Sequence, residues 1–244
     1  MTEQARLYEV WVYLQAEPLF WLTLTIGAYL VADKLYQSSG LFPLLNPVAL
    51  SIVFVSLCLT GFGVEYERYF NGAKFIHFLL GPATVALAIP IYQHWDTVLR
   101  AKSAILISIS LGAVIAITIT YLLAMMVGLD EVTTKSLLPR NVTAPIAMGI
   151  SEIIGGIPSL TAIVTVVTGI IGAAVGSFVL DMARVKNMAA RGFAFGLASH
   201  GIGTARALAK NRQAGVFAAV AMGLSGIMTA MLIPFGFYLL SDVF

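Results

Sequence analysis

The sequence has little charge, a single cysteine and no long run of basic residues. Only 11% of its 244 residues are charged and 59% are hydrophobic, whereas charged residues make up about a quarter of a soluble globular domain. This charge is too low to cover a soluble globule, so lipid is the expected solvent. One cysteine, Cys58, excludes a disulfide framework. The formal net charge of +2 gives no support to a nucleic-acid partner.

Charge-free apolar runs cover much of the chain, and the longest can cross a bilayer core, which takes about 20 residues. They occupy residues 35–64, 75–95, 103–129, 153–180 and 213–241. These runs lack the period-2 alternation of an outer-membrane barrel. The predicted fold class is therefore an all-α polytopic membrane protein. We predict continuous spans at about 19–32, 47–63, 104–128, 157–182 and 216–240.

The predicted organisation is a single transmembrane domain over residues 1–244. Residues 1–17 are expected to form a surface helix, 18–136 the first half of the domain, and 137–244 the second half with the main motifs. Lys and Arg occur in too many successive loops for simple alternation to place all of them on one side of the membrane. Re-entrant elements that return to their own side ease this conflict.

Three apolar segments are interrupted by Gly, Pro, Asn, Ser or His, at 74–95, 137–156 and 191–209. This pattern is typical of half-helices and re-entrant hairpins. Residues 83–93 align without gaps on 142–152, matching Thr84 with Thr143, and residues 203–207 form a weaker third echo. Internal repeats with broken segments in corresponding places indicate a transporter site near the membrane midplane. Chance similarity among Ala-, Ile- and Thr-rich helices is the alternative.

Two of these segments carry signals for a helix that begins inside apolar sequence. Pro82, after Gly81, suits the first helical position. Asn141 is expected to be an N-cap, with Thr143 close behind it. Free amides and the positive end of the helix dipole favour a carboxylate at such a position, and Arg140 adds a full charge. The structural alternatives are a capped helix end and an arginine that reaches to the headgroups.

Helical spacing places Glu152 on the same face as Asn141, between apolar residues and just before Gly155. A carboxylate inside the membrane is costly to keep charged, so Glu152 is a candidate proton carrier that couples protons to substrate. The alternative is a carboxylate in an interfacial loop beside Gly155.

The strongest local signature covers residues 198–206 and includes Ser199, His200, Gly201, Gly203, Thr204 and Arg206. The two glycines allow backbone conformations that other residues avoid, and Thr204 is expected to cap a helix that runs on to residue 210. His200 titrates near neutrality and could bind an anion or carry a proton. Arg206 is a second candidate charge partner for an anion. A hydrogen-bonded structural role is the alternative for His200.

The predicted span at 157–182 has Gly169, Gly172 and Gly176 at helical spacing. Small residues let helix backbones approach closely, so this pattern indicates tight helix packing rather than substrate contact. Asp181 and Arg184 are three residues apart and are expected to form an ion pair at the end of this helix.

The chain resembles the LrgB/CidB family of membrane proteins. The resemblance rests on motifs at 80–88, 142–147, 152–162, 168–173 and 199–205, and covers most of the chain beyond Leu41. Family members often have Ser-Val-Thr-Thr-Pro where this chain has Asn-Val-Thr-Ala-Pro at 141–145. The departure keeps the helix-cap chemistry and puts the substrate preference in doubt.

The resemblance implies two functions of different classes. One is a secondary transporter of small monocarboxylates, that is 2-hydroxy or 2-oxo acids such as glycolate, glycerate and pyruvate, for which Glu152 is the candidate site of proton coupling. The other is an antiholin-like regulator of a small holin-like LrgA/CidA-type partner, of murein hydrolase activity and of autolysis. We expect the transporter, with substrate-binding residues Thr84, Asn141, Thr143, Ser199, His200, Gly201, Gly203 and Thr204.

Chemistry on a cofactor or a metal is not expected. Glu152, Asp181 and the three histidines lack metal-ligand spacing, and Ser199 is adjacent to His200 rather than across a site from it. No enzyme activity, cofactor or nucleic-acid partner is therefore predicted. The expected location is the cell inner (cytoplasmic) membrane as a multi-pass protein, and glycine-rich helix faces are compatible with a homodimer.

Overall fold

The computed structural model of the protein describes residues 17–42, 45–86, 88–93 and 95–240. Within these ranges the chain forms α-helices and no β-strand, which confirms the all-α prediction. The predicted surface helix at 1–17 lies outside the described residues, apart from Glu17. The chain divides into two compact units, one that ends at Val85 and one that begins at Ala86.

The first unit contains three helices, α1 (Pro18–Ser38), α2 (Pro47–Gly61) and α3 (Tyr66–Ala86). Helix α2 begins at a side-chain cap, because Asn46 Oδ1 accepts hydrogen bonds from the amides of residues 48 and 49 at 3.0 and 3.2 Å. Helices α1 and α3 approach closely at Gly72, where an added Cβ would lie 2.8 Å from the Trp21 Cβ.

The prediction that a helix begins at Gly81-Pro82 is wrong, because α3 continues through Pro82. Proline removes one backbone hydrogen bond from a helix. The helix keeps its remaining backbone hydrogen bonds on both sides of Pro82, so the dipeptide does not start a new helix. Thr84 lies on α3, and its side chain is outside the described part of the structure.

The second unit contains eight helices within the described residues. They are α4 (Ala88–Gln93), α5 (Trp95–Arg100), α6 (Lys102–Val127), α7 (Glu131–Leu137), α8 (Ala144–Ile153), α9 (Pro158–Met182), α10 (Met188–Lys210) and α11 (Arg212–Leu240). Helices α6, α9 and α11 are long and apolar enough to cross a membrane. The polytopic membrane fold is thereby confirmed, and these three helices match three of the five predicted spans to within four residues at each end.

The segment at 131–153 folds into a hairpin against α9, and we call it the first hairpin. Its base is a buried polar cluster in which Thr161 Oγ1 lies 2.8 Å from the carbonyl oxygen of Ser136 and 2.8 Å from Ser151 Oγ. Four residues after Ser136, the side chain of Arg140 reaches Thr168. The first arm of the hairpin therefore runs parallel to α9, from the level of Thr161 to that of Thr168. The second arm, α8, runs back to the base.

The segment at 188–210 forms a second hairpin, because α10 is broken at His200, where φ is 39° and ψ is −129°. Residues 188–199 run parallel to α11, since Gly192 packs on Ala214 and Gly196 on Ala218. Residues 201–210 return antiparallel to α11. Their direction follows from two contacts, Thr204 with Met222 and Leu208 with Gly215.

The two hairpins enter the unit from opposite ends of α9. Going up α9, Gly169 faces His200, Gly172 faces Ser199 and Gly176 faces Phe195. Residues 188–199 therefore run antiparallel to α9, whereas the ascending arm of the first hairpin runs parallel to it. Each hairpin is followed by a long helix, α9 or α11, so the two form a repeat of inverted topology, which is common in secondary transporters.

The predicted repeat is correct in one part and wrong in another. Residues 203–205 belong to the weaker third echo. They and residues 142–144 both lie at the start of the second arm of a hairpin, that is of residues 201–210 and of α8. Residues 83–86, in contrast, belong to the continuous helix α3 and begin no half-helix. Interruption of 137–156 and 191–209 is confirmed, because each segment contains a helix break.

The inverted hairpins explain the distribution of basic residues in the second unit. Packing of Ile105 with Phe217 and Ala189 places the start of α6 beside the starts of α10 and α11. This basic end of the unit carries Arg100, Lys102, Arg184, Lys186, Arg191, Lys210 and Arg212. The opposite end carries Asp130, Glu131, Lys135 and Glu152. Because each hairpin returns to its own side, all seven basic residues share one side, as the positive-inside rule favours.

At the basic end, Asp181 does not pair with Arg184 as predicted. Arg184 adopts a φ of 55° beyond the end of α9, and Asp181 pairs with Arg191 of α10 at 2.6 Å. Burial lowers the pKa of Lys210, and the charges of Arg206 and Arg191 lower it further. The left-handed turn at Arg184 breaks the helical register on which the predicted pair depended.

Candidate functional site

The tips of both hairpins meet the same turn of α9. Arg140, in the tip of the first hairpin, donates from Nη1 to Thr168 Oγ1 at 3.4 Å. His200, the tip of the second, has Nε2 at 2.9 Å from the carbonyl oxygen of Thr165. This turn is close to the middle of α9, so it lies near the midplane of a bilayer that α9 crosses. Two breaks in helical structure therefore converge at mid-membrane depth from opposite sides.

Arg140 is the main charged group of this site. Its Nε donates to Thr120 Oγ1 of α6 at 3.1 Å, in addition to the bond to Thr168. The side chain is half-buried, and among the described residues it has no carboxylate within ion-pair distance. A guanidinium has five N–H donors and no acceptor. Arg140 therefore has donors left for an anion, in a region where an unpaired charge is costly.

A cavity of about 350 Å³ extends from Arg140 between α6 and α9. It is open along one side, because its wall residues Leu123, Val127 and Ile163 are exposed. Its lining residues are Thr120, Leu123, Ala124, Val127, Leu129, Leu137, Arg140, Ile163, Val164, Val167 and Thr168. The polar members, Thr120, Arg140 and Thr168, form one hydrogen-bonded group, and the other members are apolar. The cavity reaches Leu129 at the end of the unit opposite the basic end.

Asn141 and Thr143 lie beside Arg140, but their predicted roles need correction. The N-cap of α8 is Thr143 rather than Asn141, and its side chain makes no capping hydrogen bond. Asn141 Oδ1 and Thr143 Oγ1 are buried without a hydrogen-bond partner within the described structure. Asn141 is not the N-cap because the six-residue turn at 138–143 delays the start of α8 to Ala144. The first amides of α8 have no side-chain cap, so these amides and the two oxygens leave the tip of the first hairpin with polar groups that could bind a ligand.

Asn141 also lines a small cavity together with Ser225 and Thr229 of α11. The volume of about 10 Å³ is close to the minimum that a single water molecule needs. Leu197, one turn before His200, lines the same cavity. The turn that carries Asn141 and the ascending arm of the second hairpin are therefore neighbours, as expected for two parts of one site.

His200 is buried, with 5% of its surface exposed, and its ring packs against α9. A Cβ at Gly169 would lie 2.6 Å from His200 Cε1. The prediction that Gly201 and Gly203 provide the unusual backbone conformation is wrong, because the positive φ belongs to His200 itself. Such a conformation costs about 1–3 kcal/mol in a residue other than glycine and is concentrated at functional sites.

The other members of the second tip pack rather than cap. Ser199 is buried against Gly172, and an added Cβ at Gly203 would lie 2.5 Å from the Ser199 Cβ. Thr204 is not an N-cap. It lies one turn inside the returning arm, and its Oγ1 donates to the carbonyl oxygen of His200 at 2.8 Å. The tight packing predicted from Gly169, Gly172 and Gly176 is confirmed by these contacts.

Glu152 and Arg206 lie away from the meeting point of the two tips. Glu152 is exposed in the last turn of α8, beside the turn at Gly155. This position matches the interfacial alternative and places the carboxylate at the base of the first hairpin. Arg206 is buried in the returning arm of the second hairpin, between His200 and the basic end.

Sequence reasoning assigned no role in the site to Thr120 or Thr168. Both hydroxyls hydrogen-bond to Arg140 from long apolar helices. The available signal was a threonine within an otherwise apolar span, which is weak because threonine hydroxyls in helices often bond to their own backbone. Thr120 Oγ1 also makes such a bond, to the carbonyl oxygen of Ala116 at 2.7 Å.

Comparison with known proteins gives consistent matches over most of the chain. The model of the LrgB-like family matches residues 25–239. The uncharacterized protein YwbG of Bacillus subtilis is 38% identical over 217 residues, which are 88% of this chain and 95% of YwbG. The holin-like protein CidB of Staphylococcus epidermidis is 33% identical over 222 residues, covering 91% of this chain and 96% of CidB.

The antiholin-like protein LrgB of Bacillus mycoides is 33% identical over 217 residues, which are 89% of this chain and 94% of that protein. No solved structure matches the chain. The family match covers both hairpins, α9 and α11, and therefore every residue of the site at Arg140 and His200. The chain belongs to the LrgB-like family of membrane proteins.

Proposed function

We propose that the protein is a secondary transporter of small monocarboxylates in the cell inner membrane, with 2-hydroxy and 2-oxo acids such as glycolate, glycerate and pyruvate as its substrates. The observation that supports this proposal most is Arg140. It is a half-buried cation at mid-membrane depth that opens to a cavity, and its hydrogen bonds to the described residues go to hydroxyls. A substrate carboxylate would provide the anion that Arg140 lacks, through two charge-assisted hydrogen bonds.

The inverted hairpins support a transport mechanism. A substrate at the meeting point of the tips is separated from the basic end by the second hairpin, and the cavity leads from Arg140 toward the opposite end. Movement of one repeat relative to the other would expose the same site to the two sides in turn, which is the usual mechanism in transporters with inverted repeats. In this mechanism Arg140 stays with the substrate, and its charge is neutralised while the carboxylate crosses the apolar region.

Several neighbouring residues have proposed roles around the carboxylate. Asn141 and Thr143 offer polar groups that lack partners. Ser199, His200, Gly201, Gly203 and Thr204 form the second tip, and Thr84 and Arg206 remain candidates outside this cluster. Glu152 is exposed at the base of the first hairpin, where it can exchange protons with water, so it is the proposed site of proton coupling.

The test is exchange by purified protein in liposomes. Wild-type protein should exchange labelled pyruvate against unlabelled acid, and Arg140→Gln should abolish the exchange. Arg140→Lys keeps the charge without the planar guanidinium and should retain exchange at a raised KM. Arg100→Gln removes an exposed charge at the basic end and is the matched control. Exchange by Arg140→Gln at the wild-type rate, or no exchange of any of the three acids by wild-type protein, would refute the proposal.

A second candidate function is regulation of a small holin-like membrane partner, and through it of murein hydrolase activity and autolysis. It is favoured by the names of two relatives, holin-like protein CidB and antiholin-like protein LrgB. This function needs a surface for the partner, or for a second copy of this chain, rather than a central cation. The Arg140→Gln variant distinguishes between the two functions. Control of lysis that persists in this variant, with co-purification of the partner, would establish regulation independent of transport.

A further inference from the structure

We propose that the cavity beside Arg140 selects monocarboxylates with an aliphatic tail, and that branched 2-oxo acids are bound more tightly than glycolate or glycerate. This inference rests on the proposed transport function and specifies its substrate class. It concerns the part of the cavity that lies beyond the hydrogen-bonded group of Thr120, Arg140 and Thr168.

The first argument is the number of cations. Arg140 is the only charged residue that lines the cavity within the described structure. One guanidinium can bind one carboxylate through two parallel hydrogen bonds. A second carboxylate on the same substrate would lie among leucine and valine side chains, where it would have no cation. The site therefore selects against dicarboxylates.

The second argument is the polarity of the lining. Beyond the polar group, the walls consist of Leu123, Ala124, Val127, Leu129, Leu137, Ile163, Val164 and Val167. A hydroxyl on the far end of a substrate, as in glycerate, would lie against these apolar side chains without a hydrogen-bond partner from the protein and would weaken binding. A methyl or methylene group at the same position would replace contact with water by contact with apolar walls.

The third argument is size. The cavity of about 350 Å³ is within the range of about 300–1,000 Å³ that holds drug-sized ligands. A two- or three-carbon acid has only a few non-hydrogen atoms and leaves most of this volume unfilled. An acid whose tail extends from Arg140 toward Leu129 would fill it. The geometry therefore matches a polar head at mid-membrane depth and an apolar tail along α6 and α9.

The experiment measures inhibition of labelled pyruvate exchange in liposomes by unlabelled acids of increasing tail size. The series is pyruvate, 2-oxobutanoate, 3-methyl-2-oxobutanoate and 4-methyl-2-oxopentanoate, with glycerate and malonate as polar comparisons. Full burial of one methylene contributes about 0.8 kcal/mol, so the inhibition constant should fall by up to about fourfold with each added carbon. Glycerate and malonate should inhibit less than pyruvate. The alcohol 3-methylbutanol tests for unspecific effects of an apolar tail on the membrane.

A pair of matched variants assigns the effect to the cavity. Val164→Thr keeps the side-chain shape and adds a hydroxyl to the wall. It should weaken inhibition by 4-methyl-2-oxopentanoate at least fivefold more than it weakens inhibition by pyruvate. Val175→Thr makes the same change on an exposed part of α9 outside the cavity and should alter neither.

The outcomes separate this inference from the proposed function. If short acids are exchanged but inhibition is independent of tail length, the tail selectivity is wrong and transport stands. Equal effects of Val164→Thr and Val175→Thr would also refute the tail selectivity. Inhibition by 3-methylbutanol equal to that of the branched acids would show that lipid-like tails occupy the cavity without the carboxylate. If no acid of any length is exchanged, the proposed function fails.

Discussion

The two hairpins of the second unit share a topology and differ at their tips. In the first, a six-residue turn carries Arg140 into an open cavity and leaves two polar oxygens without partners. In the second, a single residue, His200, makes the turn and packs so closely on α9 that Gly169 has no space for a side chain. The same topology therefore places an open, polar tip opposite a closed, packed one.

Under the proposed transport function, this difference predicts that the first tip contacts the substrate and that the second tip supports the fold. Residues 188–199 would reach about 18 Å as a helix, slightly more than half of a bilayer core of about 30 Å. The close contacts of the second tip fix the midpoint at which both hairpins meet. The first tip has the cavity and the free donors. We expect changes at the second hairpin to affect stability first and changes at the first tip to affect substrate first.

The largest expected effect concerns the side from which each hairpin enters. The positive-inside rule places the basic end in the cytoplasm, so Glu131 and Lys186 should be on opposite sides of the membrane. In a Cys58→Ala background, Glu131→Cys should react with an impermeant maleimide on intact cells, and Lys186→Cys only after permeabilisation. Labelling of both from the same side would disprove the inverted topology, and the reverse pattern would invert the orientation alone.

The second largest effect is expected at the glycines of the second hairpin. A Cβ at Gly196 would collide with the carbonyl of Ala218, and backbone atoms cannot rotate away. Overpacking of this kind costs about 1–3 kcal/mol or more, so Gly196→Ala should lose folded protein after mild heating in detergent. Gly149→Ala on α8, where no atom lies within 4 Å of the added Cβ, is the control. Equal melting of the two variants would contradict the packing of α10 on α11.

A smaller effect is expected at His200. Alanine keeps the strain of a positive φ, whereas glycine adopts this conformation freely. We expect His200→Gly to have a higher melting temperature than His200→Ala, against the usual order in helices, where Ala is favoured over Gly by about 1 kcal/mol. Ser199, in regular helix, provides the control: Ser199→Ala should melt above Ser199→Gly. The usual order at both positions would show that His200 carries no backbone strain.

The smallest effect is expected at the threonines that orient Arg140. Thr120→Val and Thr168→Val each remove one hydrogen bond to Arg140, worth about 0.5–1.5 kcal/mol net. Each should raise the KM for pyruvate exchange about 2- to 10-fold, with the larger increase at Thr120, whose bond of 3.1 Å is shorter than that of 3.4 Å at Thr168. Thr118→Val on an exposed face of α6 should leave the KM unchanged. A similar KM for all three variants would mean that Arg140 is oriented by other groups.

Sequence reasoning succeeded where the structure depends on local interactions and failed where it depends on contacts between residues far apart in the chain. The spans at 104–128 and 157–182 were predicted closely because their boundaries depend on local composition. The breaks near Gly155 and His200 were also visible, since polar residues and glycines interrupt apolar sequence there. Details of the breaks were predicted less well. Asn141 was expected to cap α8, but the turn at 138–143 is longer than the local cap pattern indicates.

The first unit shows a further limit of local signals. Gly81-Pro82 is a reasonable helix start by its local pattern, but α3 continues through it. A proline that suits the first position of a helix is also compatible with a helix interior at the loss of one backbone hydrogen bond. The dipeptide alone therefore does not determine where a helix begins.

By itself, the sequence determined that the chain is helical and lies in a membrane, where its helices break, and which family it belongs to. Only the tertiary structure brought Thr120 and Thr168 to Arg140 and His200 to Gly169. Helices such as α6 and α9 are apolar on every face, so no amphipathic pattern indicates which residues point toward neighbours. The rotation of each helix is decided by close packing of small residues against partners far away in the chain.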